Sequence, residues 1–321
     1  MIPVIADVDT GLDDALALAY LTATPHADLR AVTCVAGNTH VEQVVANTLT
    51  VLDGVGAPPV PVATGARRPL VSPPRHAHGF HGSDGLGDLA LAPSGRRPVP
   101  GAAVDLIRTT IERSAEPVTL LALGPLTNVA LFLRTFPDHA ARLARIVFMG
   151  GALAVGNATP VAEFNAWHDP EALHVVLHSG LPVTMYGLEV FERPRLARSA
   201  VAAWASSPHP PHRFVGSLLT AYGRHDPLAA PVGIGDAGAA CYLARPENGT
   251  VERLPTTVQL AGTGRGQTIV DRRARSGESE QHAGPGQAPP TDVVTEIDAD
   301  AVAADFTTAI NALAHEPAGR A

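Results

Sequence analysis

Four aspartates, Asp7, Asp9, Asp13 and Asp14, lie within eight residues near the start of the chain. The apolar residues 1–6 precede them and an apolar, alanine-rich stretch follows, so the pattern predicts a buried strand that ends in acids and a helix that begins with them. Carboxylates this close cannot all stay ionised without a cation, and oxygen ligands favour a hard ion such as Ca²⁺ or Mg²⁺. The alternative is that Asp9 or Asp13 only caps the helix, but a cap needs one acid and not four.

A second predicted strand covers residues 28–36 and is followed by Asn38 and then by a helix with periodic apolar positions. Strand, helix and strand in this order indicate a parallel sheet with right-handed crossovers. We therefore predict an α/β fold: an open, mostly parallel, Rossmann-like sheet with helices on both faces and active-site loops at the carboxyl ends of the strands. Asn38 lies at one such end and is either a plain turn residue or an active-site group. We find no internal repeat and no linker, which favours a single domain over residues 1–321 with a flexible excursion at about 275–290.

Composition excludes several classes of function. The formal charge of −8 argues against a nucleic-acid partner, because phosphate recognition needs a basic surface. The chain has no Lys, which removes Schiff-base chemistry and the usual phosphate-binding Lys. Cys34 and Cys241 lie in apolar stretches and imply neither a disulfide framework nor a zinc site. No signal peptide precedes the first strand and no apolar run is long enough to span a bilayer, so we expect no membrane partner and a cytoplasmic location.

Residues 65–100 lose all periodicity and are rich in Pro, Gly and His. A loop of this length inside a compact domain is usually functional. It contains His76, His78 and His81, but they lack the helical spacing of a zinc motif. The sequence therefore predicts a functional loop and does not favour a zinc site in it.

A second polar group comprises Asn157, Glu163 and Asn165, which place two amides and a carboxylate on one loop. Paired donors and acceptors of this kind can hold a polyhydroxylated sugar. The helix that follows begins at Asp169-Pro170, so we expect Asp169 to be its N-cap.

Three stretches resemble the inosine-uridine-preferring nucleoside hydrolases. The acidic run over 7–14 is similar to the family motif D-x-D-P-G-x-D-D, with Thr10 in place of Pro. Residues 156–172 are similar to G-N-x-x-x-x-A-E-F-N-x-x-x-D-P-E-A, and residues 124–128 to G-x-L-T-N. The resemblance runs from Ile5 to about Asp271 with the motifs in the same order.

The resemblance implies an N-ribosyl hydrolase that converts ribonucleosides to ribose and free base and serves purine and pyrimidine salvage. It implies a Ca²⁺-activated water with Asp9 as the general base. The implied metal ligands are Asp9, Asp14, Asp236 and the backbone carbonyl of Leu123. The implied ribose contacts are Asp13, Asn38, Asn157, Glu163 and Asn165. Family members are commonly dimers or tetramers, so a homodimer or homotetramer is expected.

The main departure from the family is Gly235, which stands where the family commonly has a His thought to protonate the departing base. Gly has no side chain to donate a proton. The possible contacts to the base or leaving group are His81, which falls on the family's H-G-x-x-G pattern, His225, and Trp167, for which packing in the core is the favoured interpretation. The alternative is that only substrates with good leaving groups are cleaved.

Two other functions compete with this interpretation. A haloacid-dehalogenase-like phosphatase also begins with a strand and D-x-D-x-T, and it would use Asp7 as nucleophile and Asp9 as acid/base. A catalytically weak ribose- or nucleoside-binding protein could retain the metal site. The missing Lys and the sugar-binding loop argue against the phosphatase.

Overall fold

A computed structural model describes residues 1–225, 231–273 and 290–313. The strands in these ranges are β1 (Ile2–Val8), β2 (Ala27–Cys34), β3 (Val62–Thr64), β4 (Val118–Ala122), β5 (Leu143–Met149), β6 (Val183–Tyr186), β7 (Arg195–Ala197), β8 (Pro231–Gly233), β9 (Gly249–Val258), β10 (Thr268–Val270) and β11 (Pro290–Ile297). The predicted excursion at about 275–290 lies, apart from Pro290, outside the described residues.

The helices are α1 (Leu12–Ala23), α2 (Val41–Gly54), α3 (His78–His81), α4 (Ala103–Arg113), α5 (Thr127–Thr135), α6 (Pro137–Ala140), α7 (Phe164–His168), α8 (Pro170–Leu177), α9 (Leu188–Phe191), α10 (Arg198–Ala205), α11 (Pro210–Tyr222), α12 (Ala237–Ala244) and α13 (Ala299–Ala312). Short 3₁₀ helices cover Gly223–His225 and Pro246–Asn248. Within the described ranges, no helix has the length and apolar character needed to cross a membrane.

Nine strands form one sheet in the order β10-β9-β11-β6-β5-β4-β1-β2-β3. Every pair from β3 to β11 is parallel, and only β9 pairs antiparallel, with β10 and β11. The part 3-2-1-4-5-6 is the strand order of dinucleotide-binding α/β proteins. The predicted fold class is thus confirmed.

Side chains of alternate strand residues pack into two apolar cores, one on each face of the sheet. In β1, Val4 and Ala6 belong to one core and Ile5 to the other, and in β4 the neighbours Leu121 and Leu120 divide in the same way. Helices α1, α2, α11, α12 and α13 cover the first face, and α4, α5 and α8 cover the second. Strands covered on both faces are apolar along their length, which explains the continuous apolar runs in the sequence.

The strand order reverses direction at β1, which pairs with β2 on one side and with β4 on the other. The segments that follow β2 and β4 remain hydrogen-bonded to the end of β1. Val35 N–H donates to the Val8 carbonyl at 2.9 Å, and Leu123 N–H donates to the Asp7 carbonyl at 2.8 Å. Beyond these bonds the three strand ends separate. A crevice at such a reversal is where open α/β sheets bind ligands.

Two parts of the chain differ from what their local sequence pattern indicates. The pattern of residues 195–205 indicates a helix, but Arg195–Ala197 form β7, which pairs antiparallel with β8, and the helix begins at Arg198. This pairing partner is distant in sequence, so local periodicity cannot reveal it. The loop over 65–100 contains the one-turn helix α3.

Candidate active site

A cavity of about 520 Å³ opens at the carboxyl edge of the sheet. Some of its polar side chains follow β1 and β2 or precede α12, and others belong to the loop after β5. Its polar lining includes Asp9, Asp13, Asn38, His81, Asn157, Glu163, Asn165, Glu192, Arg195, Tyr222 and Asp236. The structure therefore brings together most of the site residues that the sequence indicated.

Three carboxylates approach one another closely at the floor of this cavity. Asp13, Asp14 and Asp236 each offer an oxygen within 4.8 Å of the others. They lie at the start of α1 and immediately before α12, and none of the three is more than 7% exposed. Asp9, at the end of β1, is 2% exposed and interacts electrostatically with all three.

Burial makes ionisation of these carboxyls unfavourable. It raises the pKa of Asp13 to about 6, and burial together with the charge of Asp13 raises the pKa of Asp14 to about 6. Burial and neighbouring charge also raise the pKa of Asp9 and of Asp236 well above the ordinary range. A cation would relieve this repulsion, since it favours the ionised form of every carboxyl around it.

One carboxylate oxygen shows that the floor is incomplete without a ligand. Asp13 Oδ1 is fully buried and has no hydrogen-bond partner within the described part of the chain. A buried carboxylate oxygen without a partner is unfavourable, and such oxygens are the usual ligands of hard divalent cations. The residues present therefore fit a metal ion.

Backbone groups fix the orientation of two of the acids. Asp14 accepts N–H bonds from Asp9 at 3.2 Å and from Gly11 at 2.9 Å, so the turn before α1 closes on this side chain. Asn38 N–H donates to Asp9 Oδ2 at 2.8 Å, and Asn38 Nδ2 donates to Asp14 Oδ2 at 3.3 Å. Asn38 is thus bonded to both acids and is not a plain turn residue.

Helix α7 and the residue before it supply two further polar side chains of the cavity lining, Asn165 and Glu163. Glu163 caps this helix, accepting N–H bonds from Asn165 and Ala166, and it also accepts one from Gly151 at 2.9 Å. Asn165 Nδ2 donates to the Leu123 carbonyl at 2.6 Å and to the Met149 carbonyl at 3.1 Å. Glu163 and Asn165 therefore hold the ends of β4 and β5 together in addition to lining the cavity.

Two further predicted residues, Asn157 and Asp169, accept backbone hydrogen bonds close to α7. Asn157 Oδ1 accepts Phe164 N–H at 2.9 Å, which closes the loop before α7. Asp169 accepts Ala172 N–H at 3.0 Å and is the N-cap of α8, as the sequence predicted. Leu123, whose carbonyl is one of the implied metal ligands, follows β4 and lines the cavity, and its carbonyl accepts the hydrogen bond from Asn165 Nδ2.

His81 reaches the acids from the flap, the name we give to residues 65–100. Its Nδ1 accepts Leu12 N–H at 3.2 Å and lies 3.9 Å from Asp13 Oδ1. Because Nδ1 accepts a hydrogen bond, the proton of the neutral ring is on Nε2. The structure thus places His81 beside the acids, and its contact with the base or leaving group stays a prediction.

Gly235 lies against Asp13 and Tyr222. Its φ is +53°, and a Cβ there would be 3.0 Å from the Tyr222 hydroxyl. Tyr222 ends α11, lines the cavity and contacts Phe80 of the flap with ring centroids 5.4 Å apart. Sequence reasoning missed Tyr222 because it belongs to no motif and reaches the cavity only through the packing of α11.

Two other candidates for base contacts have different outcomes. Trp167 is not part of the cavity lining, because the Arg75 guanidinium covers its ring at 4.0 Å, and Phe164 lines the cavity instead. The structure thus places the Trp167 ring against Arg75 and in neither apolar core, and its contact with a base stays a prediction. His225 ends a short 3₁₀ helix, and its side chain lies outside the described residues.

Asp7 is separated from the cavity. It is fully buried within β1, where its Oδ1 accepts hydrogen bonds from Thr33 at 2.6 Å and from Asn128 at 2.8 Å. A nucleophile must reach its substrate, so this position contradicts the phosphatase alternative with Asp7 as nucleophile.

The fold and the site together define an α/β protein with an acidic, metal-compatible cavity at the carboxyl edge of a parallel sheet. The chain belongs to the family described as inosine-uridine preferring nucleoside hydrolase, whose family model matches residues 4–304. The resemblance stated from the motifs is thereby confirmed. The protein is a glycosidase that acts on N-ribosyl bonds.

Curated relatives support the same assignment. The chain is 39% identical over 278 residues to the non-specific ribonucleoside hydrolase RihC of Klebsiella pneumoniae subsp. pneumoniae, with 86% of this chain and 90% of the relative covered. It is 38% identical over 277 residues to the pyrimidine-specific ribonucleoside hydrolase RihA of Salmonella enteritidis, with 84% and 88% covered.

Solved structures are similar over almost the whole chain. A plant nucleoside hydrolase superposes with a TM-score of 0.89 at 26% sequence identity, and the match covers 96% of this chain and 98% of the plant chain. A purine-preferring ribonucleoside hydrolase from Gardnerella vaginalis gives a TM-score of 0.87 at 29% identity, with 97% and 99% covered.

Proposed function

We propose that the protein hydrolyses the N-glycosidic bond of ribonucleosides to ribose and free base, with Asp9 as the general base and Ca²⁺ as the cofactor. The observation that carries this proposal is that Asp9, Asp13 and Asp236 line the same cavity as Asn157 and Asn165. Ribose cleavage requires carboxylates that can hold a metal together with amides that can bind the sugar.

The residues that would hold Ca²⁺ are Asp9, Asp14, Asp236 and the Leu123 carbonyl. Of these ligands, Asp14 and Asp236 share a group of oxygens within 4.8 Å with Asp13, and Asp9 is not part of that group. Asp13 is the neighbour that would face the ribose hydroxyls. All of these donors are oxygen atoms, which suits a hard cation better than zinc. When bound, the ion lowers the pKa of a water held against it.

Asp9 would receive the proton of the attacking water. Its Oδ2 already accepts Asn38 N–H, so Oδ1 is the oxygen that would take the proton. The Asn38 bond also fixes the carboxylate plane, which reduces the reorganisation needed at the moment of transfer. As the bond to the base breaks, positive charge on the sugar would be stabilised by the surrounding buried carboxylates.

Ribose recognition would rest on Asp13, Asn38, Asn157, Glu163 and Asn165. Both N–H groups of Asn165 donate to backbone carbonyls, so its Oδ1 is the atom that would accept a ribose hydroxyl. A substrate that lacks a ribose hydroxyl leaves the polar groups that would bind it without a hydrogen-bond partner. We therefore expect 2′-deoxyinosine to be a poor substrate.

Departure of the base would be assisted by Tyr222 and His81. The Tyr222 hydroxyl lies next to the position where a side chain at Gly235 would begin, and His81 holds its ring proton on Nε2. Both side chains line the cavity. A hydrogen bond to the departing nitrogen replaces the proton donor that Gly235 cannot provide.

The test is ribose release from inosine, uridine, 2′-deoxyinosine and p-nitrophenyl riboside, before and after chelation. Asp9→Asn should abolish cleavage of every riboside, whereas Asp138→Asn, an exposed control, should leave all rates unchanged. Binding of inosine without turnover by the wild type would leave the binding-protein alternative standing. Cleavage of p-nitrophenyl phosphate without cleavage of any riboside would overturn the proposal.

A further inference from the structure

Three histidines from two distant segments meet outside the active-site cavity. His40 is the N-cap residue of α2, and His76 and His78 belong to the flap. The ring centroids are 4.2 Å apart for His40 and His76, 5.3 Å for His76 and His78, and 6.5 Å for His40 and His78. We refer to these residues as the histidine cluster.

The spacing of the ring centres is close to that of ligands around one ion. Three imidazoles around a tetrahedral metal, with metal–nitrogen bonds of about 2 Å, place their ring centres about 5 Å apart, and the observed distances lie on either side of this value. As they stand, the ring nitrogens do not converge, since among the described residues only Asp13, Asp14 and Asp236 bring ligand atoms within 4.8 Å of one another. His40 and His78 are exposed, and ligation requires that their side chains rotate to direct one nitrogen of each ring to a common point. Neutral imidazoles favour zinc, copper or nickel over Ca²⁺.

Hydrogen bonds leave one ring nitrogen of His76 and one of His78 for this purpose. His76 Nδ1 lies 3.0 Å from the Gly37 carbonyl, and a donor bond of this kind leaves Nε2 as the ligand atom. His78 Nε2 lies 3.4 Å from the Thr39 hydroxyl, which leaves Nδ1. Burial and the neighbouring charges of His40 and His78 lower the pKa of His76, so its neutral form, the one that ligates metals, is favoured.

The histidine cluster lies on the outer side of the turn that shapes the active site. Ala77 N–H, between two of the histidines, donates to the Asn38 carbonyl at 3.0 Å, and Ala77 itself lines the cavity. The amide of the same Asn38 holds Asp9. An ion bound by residues of both segments would therefore fasten the flap to the turn beside the general base.

We propose that the histidine cluster is a second metal site, specific for a nitrogen-preferring divalent ion such as Zn²⁺, which clamps the flap over the cavity. This site shares no residue with the carboxylate site and does not depend on the proposed reaction.

Zinc titration into the purified protein tests the site directly. His174 and His178 form another close pair, with ring centroids 4.0 Å apart, so the measurements use His174→Ala as the background. In this background, we expect His40→Ala, His76→Ala or His78→Ala to lower the affinity for one Zn²⁺ per chain about tenfold or more. His209→Ala, at an exposed His, is the matched control and should change nothing. The carboxylate site is unchanged in every variant, so any Zn²⁺ bound there contributes equally to all the affinities compared.

Amide hydrogen exchange then tests the clamp. Zn²⁺ should slow exchange in residues 75–81 of the background protein and have no effect on this segment in the His76→Ala variant. Since His40 and His78 are exposed, their variants keep the test valid if His76→Ala fails to fold. Zinc affinity that is unchanged by all three substitutions overturns the site, and zinc binding without slower exchange overturns the clamp.

Discussion

A Cβ atom on Gly235 would lie 2.5 Å from the Cβ of Asp13. Gly235 also has a φ of +53°, a conformation that favours glycine. The backbone before α12 is therefore packed directly on the helix start that carries the acids. No larger residue fits here without moving Asp13.

Gly235→Ala should lower both stability and activity. Backbone strain costs about 1–3 kcal/mol, and displacement of Asp13 should reduce kcat/KM for inosine about tenfold or more. The control is Gly180→Ala, where φ is +75° but a Cβ would meet nothing within 4 Å. Thermal denaturation and kinetics of both variants separate the strain from the contact. Equal effects of the two substitutions on activity would show that the contact with Asp13 is unimportant.

The same contact shows what the sequence could and could not reveal. The acids of residues 7–14 and the strand before them were predictable, because an apolar run that stops in carboxylates has few other interpretations. The loop with Glu163 and Asn165 was equally clear from its residue types. The left-handed backbone at Gly235 and the approach of Tyr222 depend on how α11 and α12 pack, and no local pattern encodes that packing.

Other features were hidden for a related reason. His40 is separated from the flap by a strand and a helix, so the histidines of the flap gave no sign of a third partner. Trp167 was one of the possible base contacts because aromatic rings often stack on bases, but its ring is occupied by Arg75 from the flap. Long-range contacts of a loop without periodicity are the least predictable part of this chain.

Tyr222→Phe tests the assistance given to the departing base. Loss of the hydroxyl should reduce kcat/KM for inosine and uridine by about 10- to 100-fold, because these bases leave poorly without a donor. Hydrolysis of p-nitrophenyl riboside should change little, since its leaving group needs no proton. Tyr242→Phe, at a buried Tyr outside the cavity lining, is the control. A uniform loss on all three substrates would assign Tyr222 a structural role.

Removal of the metal should destabilise the protein because the carboxylates at the cavity floor then repel one another. We expect Ca²⁺ at about 100 times its Kd to raise the free energy of unfolding by about 2.7 kcal/mol, measured by urea denaturation. Asp14→Asn should abolish this increase, since it removes one of the carboxylates that would hold the ion. The Asp138→Asn control should respond to Ca²⁺ as the wild type does. If Asp14→Asn retains the full Ca²⁺ effect, the ion is bound elsewhere.

His168 should make the protein sensitive to acid. Its side chain is 1% exposed, neither ring nitrogen has a hydrogen-bond partner within the described residues, and Arg75 and His76 lie close to it. Burial lowers its pKa to about 4, from an ordinary value of 6.5. Between these two values the unfolded chain binds a proton that the folded chain does not, so stability falls as the pH is lowered from above 6.5 towards 4, by about 3 kcal/mol in all. In His168→Phe this part of the pH dependence should disappear, whereas the exposed control His209→Phe should keep it, and urea denaturation between pH 4 and 7 measures both. An unchanged slope in His168→Phe would place the acid sensitivity in other groups.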